Sequence, residues 1–386
     1  MRRPLTSSLS CLLSLALLPA CAGEPPNNTG SVESLPRGTG TQGPQGPQGP
    51  QGPAGEYTRI KVVSPGATPE LSGDRLFTAL ASIASESEES PWLLFVEPGV
   101  YDLGTQSLRL RPFIHLRGAG AGLSTLRSHG EAPTLVTDVS TEVSALSLVH
   151  TGGTPDAVAL AVPSAGFRAQ DVRVSAQDGS ARTHALQMSG SAVLTRVGAT
   201  ATASQGEVRG LDCQACFVHT SGASFSAEGG AQAAGIALVG GGLELWDSSS
   251  EGLRGADESS GVDARGSAHV ELLRAQATGA EGKQSTGLRL SSSSAIVRDS
   301  VLAGTGAAPH ETRALDTQRV ARLTYTVDVE RSTLVGDTQV VRGAEGFTIH
   351  LGGSQLRGGP VVGGGMVACH GSYDENFTAP AAPACP

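Results

Sequence analysis

Aspartate residues give this sequence its clearest means of acid–base chemistry. Asp156 and Asp178 stand near Arg182, and Asp247 and Asp299 each precede a serine. Two carboxylates about 6.5–9.5 Å apart can cleave a glycosidic bond with inversion, one as general acid and the other as general base. Asp247 and Asp299 approach that spacing if they stack two layers apart, about 9–10 Å on a β ladder. The alternative, which we favour, is turn chemistry, in which an Asp-Ser side chain bonds the local backbone.

Four cysteines offer either redox chemistry or cross-links. Cys213 and Cys216 form a C-x-x-C pair, and Cys369 and Cys385 lie near the C-terminus. A redox role needs one cysteine at a helix N-terminus, where its pKa falls, but this pair lies in a predicted β segment. We expect a structural disulfide there, with two buried thiols as the alternative. An even number of cysteines in an exported chain favours pairing, so a second disulfide is expected to close the tail.

Metal-binding and sugar-stacking residues are sparse. The nine histidines are scattered, and His219 and His269 fall at similar repeat positions two layers apart, too distant for one metal ion. We predict no metal and no cofactor. Aromatic residues make up only 4% of the chain. Trp246 and Tyr325 are the candidates for stacking on sugars, whereas Trp92 is expected to pack at an N-terminal cap.

A short internal repeat must position these residues. Each copy is a small residue followed by an apolar–any–apolar (or small) triplet, and copies recur every 25–28 residues. Further alternating segments follow in each period, which indicates half-buried strands. Three short strands per period predict one coil of a parallel β-helix. Helical repeats and propeller blades are longer, and leucine-rich repeats would show an asparagine ladder, which is missing. The copies are Ala157–Leu160, Ala185–Met188, Gly210–Cys213, Gly235–Leu238, Gly261–Ala264, Gly287–Leu290 and Ala314–Thr317.

The N-terminal part of the repeat region predicts a cap. Ile60–Val63 is a predicted strand, Asp74–Ala84 a helix with Ser72 as N-cap, and Trp92–Gly104 a strand with a Pro-Gly turn. This entry resembles the opening of pectin-lyase-like right-handed β-helix proteins, and the likeness extends to about Gly365. The predicted fold class is all-β: a single-stranded right-handed parallel β-helix with an N-terminal capping helix, preceded by disordered and collagen-like segments.

The same resemblance implies candidate catalytic residues. DAVALAV, Asp156–Val162, is similar to a segment of pectin methylesterases, and Gln177-Asp178 lies where that family has an acid/base aspartate. The resemblance therefore implies Asp156, Asp178 and Arg182 as catalytic candidates. Asp156 replaces the family's first glutamine, and the family's nucleophile motif and late Arg-Pro-Trp segment have no counterpart. The alternative is that AVAL is simply an inward-facing strand.

The first residues predict export and lipid attachment. Two arginines precede an apolar run, Leu9–Leu18, that is too short to span a bilayer. The run ends in LLPAC, which resembles the bacterial lipoprotein signal and implies that acylated Cys21 holds the protein on a membrane. The alternative is an ordinary signal peptide cut after Ala20 or Ala22. We expect an exported, lipid-anchored protein at the outer membrane or cell surface.

The chain is thus predicted to have five parts. Glycine at every third position from Gly40 to Gly55 is typical of collagen. This pattern predicts either a stiff monomeric spacer or a homotrimeric stalk. The parts are a lipoprotein signal peptide (1–20), a disordered tether (21–39), a collagen-like spacer (40–56), the β-helix with its cap (57–365) and a disulfide-closed tail (366–386).

Composition narrows the function. The net charge of −9 argues against a nucleic-acid partner, because phosphate contacts need a basic face. Our leading hypothesis is a non-catalytic, envelope-anchored surface lipoprotein whose rigid β-helix has a structural, adhesive or ligand-binding role, for a polysaccharide or another cell-surface ligand. The alternative is a polysaccharide-active lyase, hydrolase or pectin-esterase-like enzyme.

Overall fold

The described chain forms an all-β, right-handed parallel β-helix with one short helix near its start. This computed structural model describes residues 57, 59–306, 309–319, 323–378 and 385. The predicted signal peptide, Cys21, the tether and the collagen-like spacer lie outside the described residues. The predicted fold class is confirmed for the described part. No helix within those ranges has both the length and the apolarity to cross a membrane.

Strands account for nearly all of the regular structure. In chain order the elements are β1 (Arg59–Val63), α1 (Pro69–Ala81), β2 (Trp92–Val96), β3 (Gly99–Asp102), β4 (Leu108–Arg109), β5 (Ile114–Gly118), β6 (Ser124–His129), β7 (Leu135–Val136), β8 (Glu142–Ser144), β9 (Ser147–Thr151), β10 (Asp156–Val162), β11 (Phe167–Gln170), β12 (Arg173–Gln177), β13 (Arg182–Met188), β14 (Ser191–Thr195), β15 (Gly198–Ala203), β16 (Glu207–Ser221), β17 (Ser224–Gly229), β18 (Gln232–Trp246), β19 (Ser249–Leu253), β20 (Glu258–Arg265), β21 (His269–Leu273), β22 (Gln276–Ala280), β23 (Gln284–Ser291), β24 (Ser294–Arg298), β25 (Val301–Thr305), β26 (Glu311–Gln318), β27 (Tyr325–Glu330), β28 (Thr333–Gly336), β29 (Gln339–Gly343), β30 (Phe347–Gly352), β31 (Gln355–Gly358), β32 (Val361–Gly363) and β33 (Met366–His370).

Each coil contributes strands to three parallel ladders. The first ladder runs through β10, β13, β16, β18, β20, β23 and β26, and the third through β12, β15, β17, β19, β22 and β25. The second ladder joins β11, β14, the later halves of β16 and β18, β21 and β24. Inward side chains form stacks of buried Leu, Val, Ile and Ala, because each layer repeats the position below it about 4.8 Å away.

The register corrects one copy of the predicted repeat. Leu160, not Val158, lies opposite Leu186 in the ladder. The first copy is therefore Ala159–Val162, two residues later than predicted. A shift of two residues keeps every side chain on the same face of a strand, so the alternation in DAVALAV could not distinguish the two frames.

The capping helix begins earlier than the sequence predicted. Pro69 occupies its first turn, and the N-cap is Thr68, whose hydroxyl accepts a hydrogen bond from the Leu71 amide at 3.3 Å. The predicted N-cap, Ser72, is wrong: it lies inside the helix, where its hydroxyl donates to the Thr68 carbonyl at 2.8 Å. Trp92 packs against the core at this end, as predicted.

Coil stacking continues beyond residue 365, where the tail was predicted to begin. β33 pairs with β30 and covers its exposed backbone edge. Cys369, in β33, is bonded to Cys385, and Cys213 is bonded to Cys216. Both predicted disulfides are thus present. The Cys213–Cys216 disulfide spans the turn residue Ala215, which has a left-handed backbone with φ of 52°.

Backbones of the first and third ladders almost touch in the central coils. A Cβ at Gly261 would lie 2.4 Å from the Thr278 amide nitrogen, and one at Gly279 would lie 2.3 Å from the Ser259 carbonyl oxygen. Only glycine fits at these two positions, which explains why the central repeat copies, from Gly210 to Gly287, open with glycine. The same crowding by backbone atoms holds at Gly235, Gly287, Gly252 and Gly304.

Candidate functional site

Asp247 and Asp299 belong to a surface ladder of ion pairs. Both adopt left-handed backbone conformations at the same turn of their coils, with φ of 48° and 50°. Arg274 donates two hydrogen bonds to Asp247, at 2.6 and 2.7 Å, and Arg331 donates two to Asp299, at 2.8 and 2.9 Å. Both residues lie at turns, as the favoured interpretation predicted, but its local backbone bond is wrong: these side chains bond an arginine in the following coil. Both carboxylates are thus engaged in ion pairs.

This ladder is expected to contribute little stability. The Arg274 guanidinium holds the pKa of Asp247 below its usual value by hydrogen bonding, yet exposed pairs are screened by solvent and salt. We expect Arg274→Gln to lower Tm only slightly at low salt, and the difference to disappear in high salt. Because Asp247 has a depressed pKa, its contribution is present above the unfolded-state pKa and is lost as pH falls through the folded value. Thermal unfolding of both proteins across salt concentrations checks this, and a salt-independent loss would contradict it.

The residues implied by the esterase resemblance converge only in part. Asp156 and Arg182 lie opposite each other in neighbouring strands and form an ion pair, with Arg182 Nε 2.8 Å from Asp156 Oδ1. That pair raises the pKa of Arg182. Asp178 lies in a left-handed turn with φ of 60°, and its amide donates to the Thr202 carbonyl. Within the described ranges Asp178 has no hydrogen bond or ion pair with either of the others.

A buried set of charged side chains lies instead on the outer face of the first ladder. Leu288 and Leu290 point into the core, so Arg289 between them must point outward. Its side chain is nevertheless only 2% exposed, and that of Asp316 in the next coil is fully buried. Outward side chains can be buried only where neighbouring segments rise above the sheet. We call this recessed surface of β20, β23 and β26, from Glu258 to Gln318, the groove.

Ion pairs link the charged side chains of the groove across coils. Arg289 donates through Nη1 to Glu258 and lies 3.8 Å, through Nε, from Asp316 Oδ2. Arg342 donates two hydrogen bonds to the Asp316 carboxylate, and the one from Nη2 is 2.9 Å long. Arg313 Nη1 lies 4.0 Å from the same carboxylate. Asp316 therefore faces three guanidinium groups.

A cavity of about 540 Å³ opens over the groove. Arg289 Nε and Nη2 and the Tyr325 hydroxyl are buried there without a hydrogen-bond partner among the described residues. Tyr325 was predicted to be an exposed stacking ring, which is wrong: it is 8% exposed and its ring packs on Phe347 at 5.3 Å. Its hydroxyl is buried beside the cavity without a hydrogen-bond partner among the described residues. The polar lining includes Gln232, Glu258, Arg265, Arg289, Ser291, Gln318 and Tyr325.

Carboxylates around the cavity are hydrogen-bonded to arginine side chains. Arg265 Nε lies 3.1 Å from Asp263 Oδ1, and this hydrogen bond raises the pKa of Arg265. Asp316 is held in the same way by Arg342. These hydrogen bonds hold the carboxylates and the guanidinium groups in place, so the groove presents donors and acceptors at fixed positions.

An imidazole lies on the same outer face several coils earlier. Burial lowers the pKa of His184 to about 4, and Asp212, 3.6 Å from Nδ1, offsets only part of that effect. Neither ring nitrogen has a hydrogen-bond partner among the described residues. Asp212 is itself bonded to Arg209 and Gln214. In the described part of the chain, no group of three or more His, Cys, Asp or Glu residues could hold a metal ion.

Sequence reasoning named the repeat copies that carry the groove but missed the groove itself. Asp212, Asp263, Arg289 and Asp316 all occupy the "any" position of the apolar–any–apolar triplet. Three of them, from Asp263 to Asp316, alternate in charge in consecutive coils. That alternation at a fixed repeat position was the available signal, because stacked side chains of opposite charge attract across a ladder.

Comparisons with known proteins concern the fold. No family model and no curated protein matches the sequence. Among solved structures, the mannuronan C-5 epimerase AlgE6 A-module of Azotobacter vinelandii is 12% identical, with a TM-score of 0.49 over 82% of this chain and 98% of that chain. The catalytic unit of the GH87 alpha-1,3-glucanase of Streptomyces thermodiastaticus is 14% identical, with a TM-score of 0.46 over 83% of this chain and 65% of that chain. Pectin methylesterase PemA of Erwinia chrysanthemi is 10% identical, with a TM-score of 0.30 over 86% and 92%.

These structural neighbours are pectin-lyase-like parallel β-helix proteins, as the sequence resemblance predicted.

Proposed function

We propose that this protein binds a polysaccharide along the groove and does not cleave it. The observation that carries the proposal is a polar cavity of about 540 Å³ lined by Arg289 and Tyr325, both of which carry buried donors without partners in the described structure. An unsatisfied buried polar group costs about 1–3 kcal/mol, and a hydroxyl-rich ligand would remove that cost.

The repeat favours a linear polymer over a compact ligand. Coils stack about 4.8 Å apart, so a chain laid along the axis meets the same columns of side chains in successive layers. Glu258, Gln284 and Glu311 form one such column at the edge of the groove. Asp263 and Asp316 are bonded to Arg265 and Arg342, which holds the charged lining of the groove in place before a ligand arrives.

Tyr325→Phe tests the groove directly. The change removes only a buried hydroxyl that has no partner in the described structure, so Tm should not fall and is expected to rise. We expect polysaccharide affinity to fall about 5–10-fold, the equivalent of one buried hydrogen bond. Calorimetric titration of a panel of neutral and acidic polysaccharides measures this. Thr326→Ala, at the adjacent exposed position, is the matched control. Equal affinity in all three proteins for every polysaccharide that binds, or no binding by any, would contradict the proposal.

Polysaccharide cleavage is the second candidate, and one observation favours it. Asp263 and Asp316 flank Arg289 in consecutive layers. Two layers correspond to about 9–10 Å, near the upper end of the separation that inverting enzymes use. An assay for new reducing ends or unsaturated products, with uronic-acid polymers in the panel, distinguishes the two. Turnover that Asp263→Asn abolishes would replace the binding proposal.

The setting we propose is the cell surface. Acyl chains on Cys21 would anchor the protein to a membrane, and the collagen-like spacer would hold the β-helix away from it, as a monomer or a homotrimer. Labelling with a fatty-acid analogue, which Cys21→Ser should abolish, tests the anchor.

A further inference from the structure

The most exposed aromatic ring on the coils lies on a different face from the groove. Phe217, in the later half of β16, is 66% exposed. One edge of its ring lies against Gly242 in the next coil, where a Cβ would be 3.0 Å from Cδ1 and 3.4 Å from Cε1. The absence of a side chain at Gly242 therefore lets the ring lie down along the sheet. A large apolar surface is left open to solvent at a fixed position on a rigid strand.

Polar side chains surround this ring. His219 and Glu244 form a pair, with Nδ1 2.8 Å from Oε2, and His269 Nδ1 lies 3.1 Å from the Ser294 hydroxyl. Nδ1 of each imidazole thus has a partner, and the second oxygen of Glu244 can still accept a hydrogen bond. Phe217, His219, Glu244 and His269 line a depression of about 290 Å³, which is smaller than a site for a drug-sized ligand.

We propose that this depression binds a single pyranose ring of a neutral sugar. A pyranose has an apolar C–H face that can stack on the exposed Phe217 ring, and equatorial hydroxyl groups that reach outward from its edge. The imidazoles of His219 and His269 and the carboxylate of Glu244 line the same depression, where they can form hydrogen bonds with those hydroxyl groups. The His219–Glu244 pair offers both a donor and an acceptor, and the carboxylate of Glu244 would repel an anionic sugar, which favours a neutral one. The site does not depend on the groove, because Tyr325 and Arg289 take no part in it.

A tryptophan beside the depression reports its occupancy. The Trp246 ring contacts His219 edge to face, with centroids 4.7 Å apart. The chain has two tryptophans, so Trp92→Phe leaves Trp246 as the sole one. Binding at the depression should then change the fluorescence of Trp246 through its contact with His219.

The experiment titrates the full-length Trp92→Phe protein with maltohexaose, cellohexaose and mannohexaose up to about 10 mM, a range that detects weak binding. We expect a saturable fluorescence change with at least one sugar, and a loss of affinity of at least about tenfold on adding Phe217→Ala. Phe377→Ala, the same change at an exposed ring of the C-terminal segment, is the matched control and should bind normally. Circular dichroism checks that each variant is folded.

Three results would overturn the inference. These are no saturable change with any of the three sugars, an equal change in the Phe217→Ala protein, and saturation by a phenylalanine-containing peptide but by no sugar. Adding Tyr325→Phe separates this inference from the proposed function. That change should leave the Trp246 response to hexasaccharides intact while it weakens polysaccharide binding in the groove. Loss of the groove effect alone would overturn only the proposed function.

Discussion

Asp316→Asn is expected to lower the free energy of unfolding by about 3–5 kcal/mol, the range for removing one partner of a buried ion pair. Asp316 is fully buried and faces the guanidinium groups of Arg289, Arg313 and Arg342. Asparagine keeps the shape and one acceptor oxygen, but it removes the negative charge. Arg289 and Arg313 are themselves only 2% and 3% exposed, so water cannot replace the lost carboxylate.

Urea denaturation followed by circular dichroism measures this change. Asp299→Asn is the matched control, because Asp299 is also gripped by an arginine of the following coil but is exposed at the surface. We expect the control to unfold close to the wild type and Asp316→Asn to unfold at much lower urea. Similar midpoints for the two variants would mean that the groove charges are solvated and that the groove is not recessed.

The fold was predictable because it repeats a local pattern. Small–apolar–any–apolar copies fix the inward face of each strand, and their spacing fixes the coil length. The register of the first copy was not predictable, because a shift of two residues preserves alternation. The helix boundary also differs from the prediction, which placed the N-cap at Ser72. Thr68 is the N-cap, because Pro69 fixes the backbone of the first helical residue.

The site was less predictable, because it depends on which outward-facing side chains are covered by neighbouring segments of the chain. Arg289 and Arg274 are both arginines on the coils, yet one is buried in the groove and the other is exposed in the surface ladder. The alternation of charge at the repeat position of Arg289 indicates its ion pairs, but no local pattern indicates that they are buried. For the same reason Tyr325, predicted as exposed, is buried, while the exposed ring of Phe217 went unnoticed. Its exposure depends on the missing side chain of Gly242 in the next coil, a contact across 25 residues.

Gly261→Ala is the second substitution with a large expected effect. The added Cβ would lie 2.4 Å from the Thr278 nitrogen, 2.7 Å from the Ala277 carbonyl carbon and 2.7 Å from the Gly287 oxygen. All three are backbone atoms of strands held on both sides by ladder hydrogen bonds, so no side chain can rotate to make room. Overpacking of this kind costs about 1–3 kcal/mol and occasionally more, and we expect a loss near 3 kcal/mol.

The controls for Gly261→Ala separate the clash from the general effect of replacing glycine. Gly122→Ala adds a methyl group where nothing lies within 4 Å, so its midpoint should not fall. Ala185→Gly makes the reverse change in the same column and should cost about 1–2 kcal/mol, through backbone entropy and the loss of one buried methyl group. If Gly261→Ala unfolds like Gly122→Ala, the first and third ladders can move apart without cost. The β-helix would then be held by its hydrogen-bonded ladders alone, and the glycine column would not set its width.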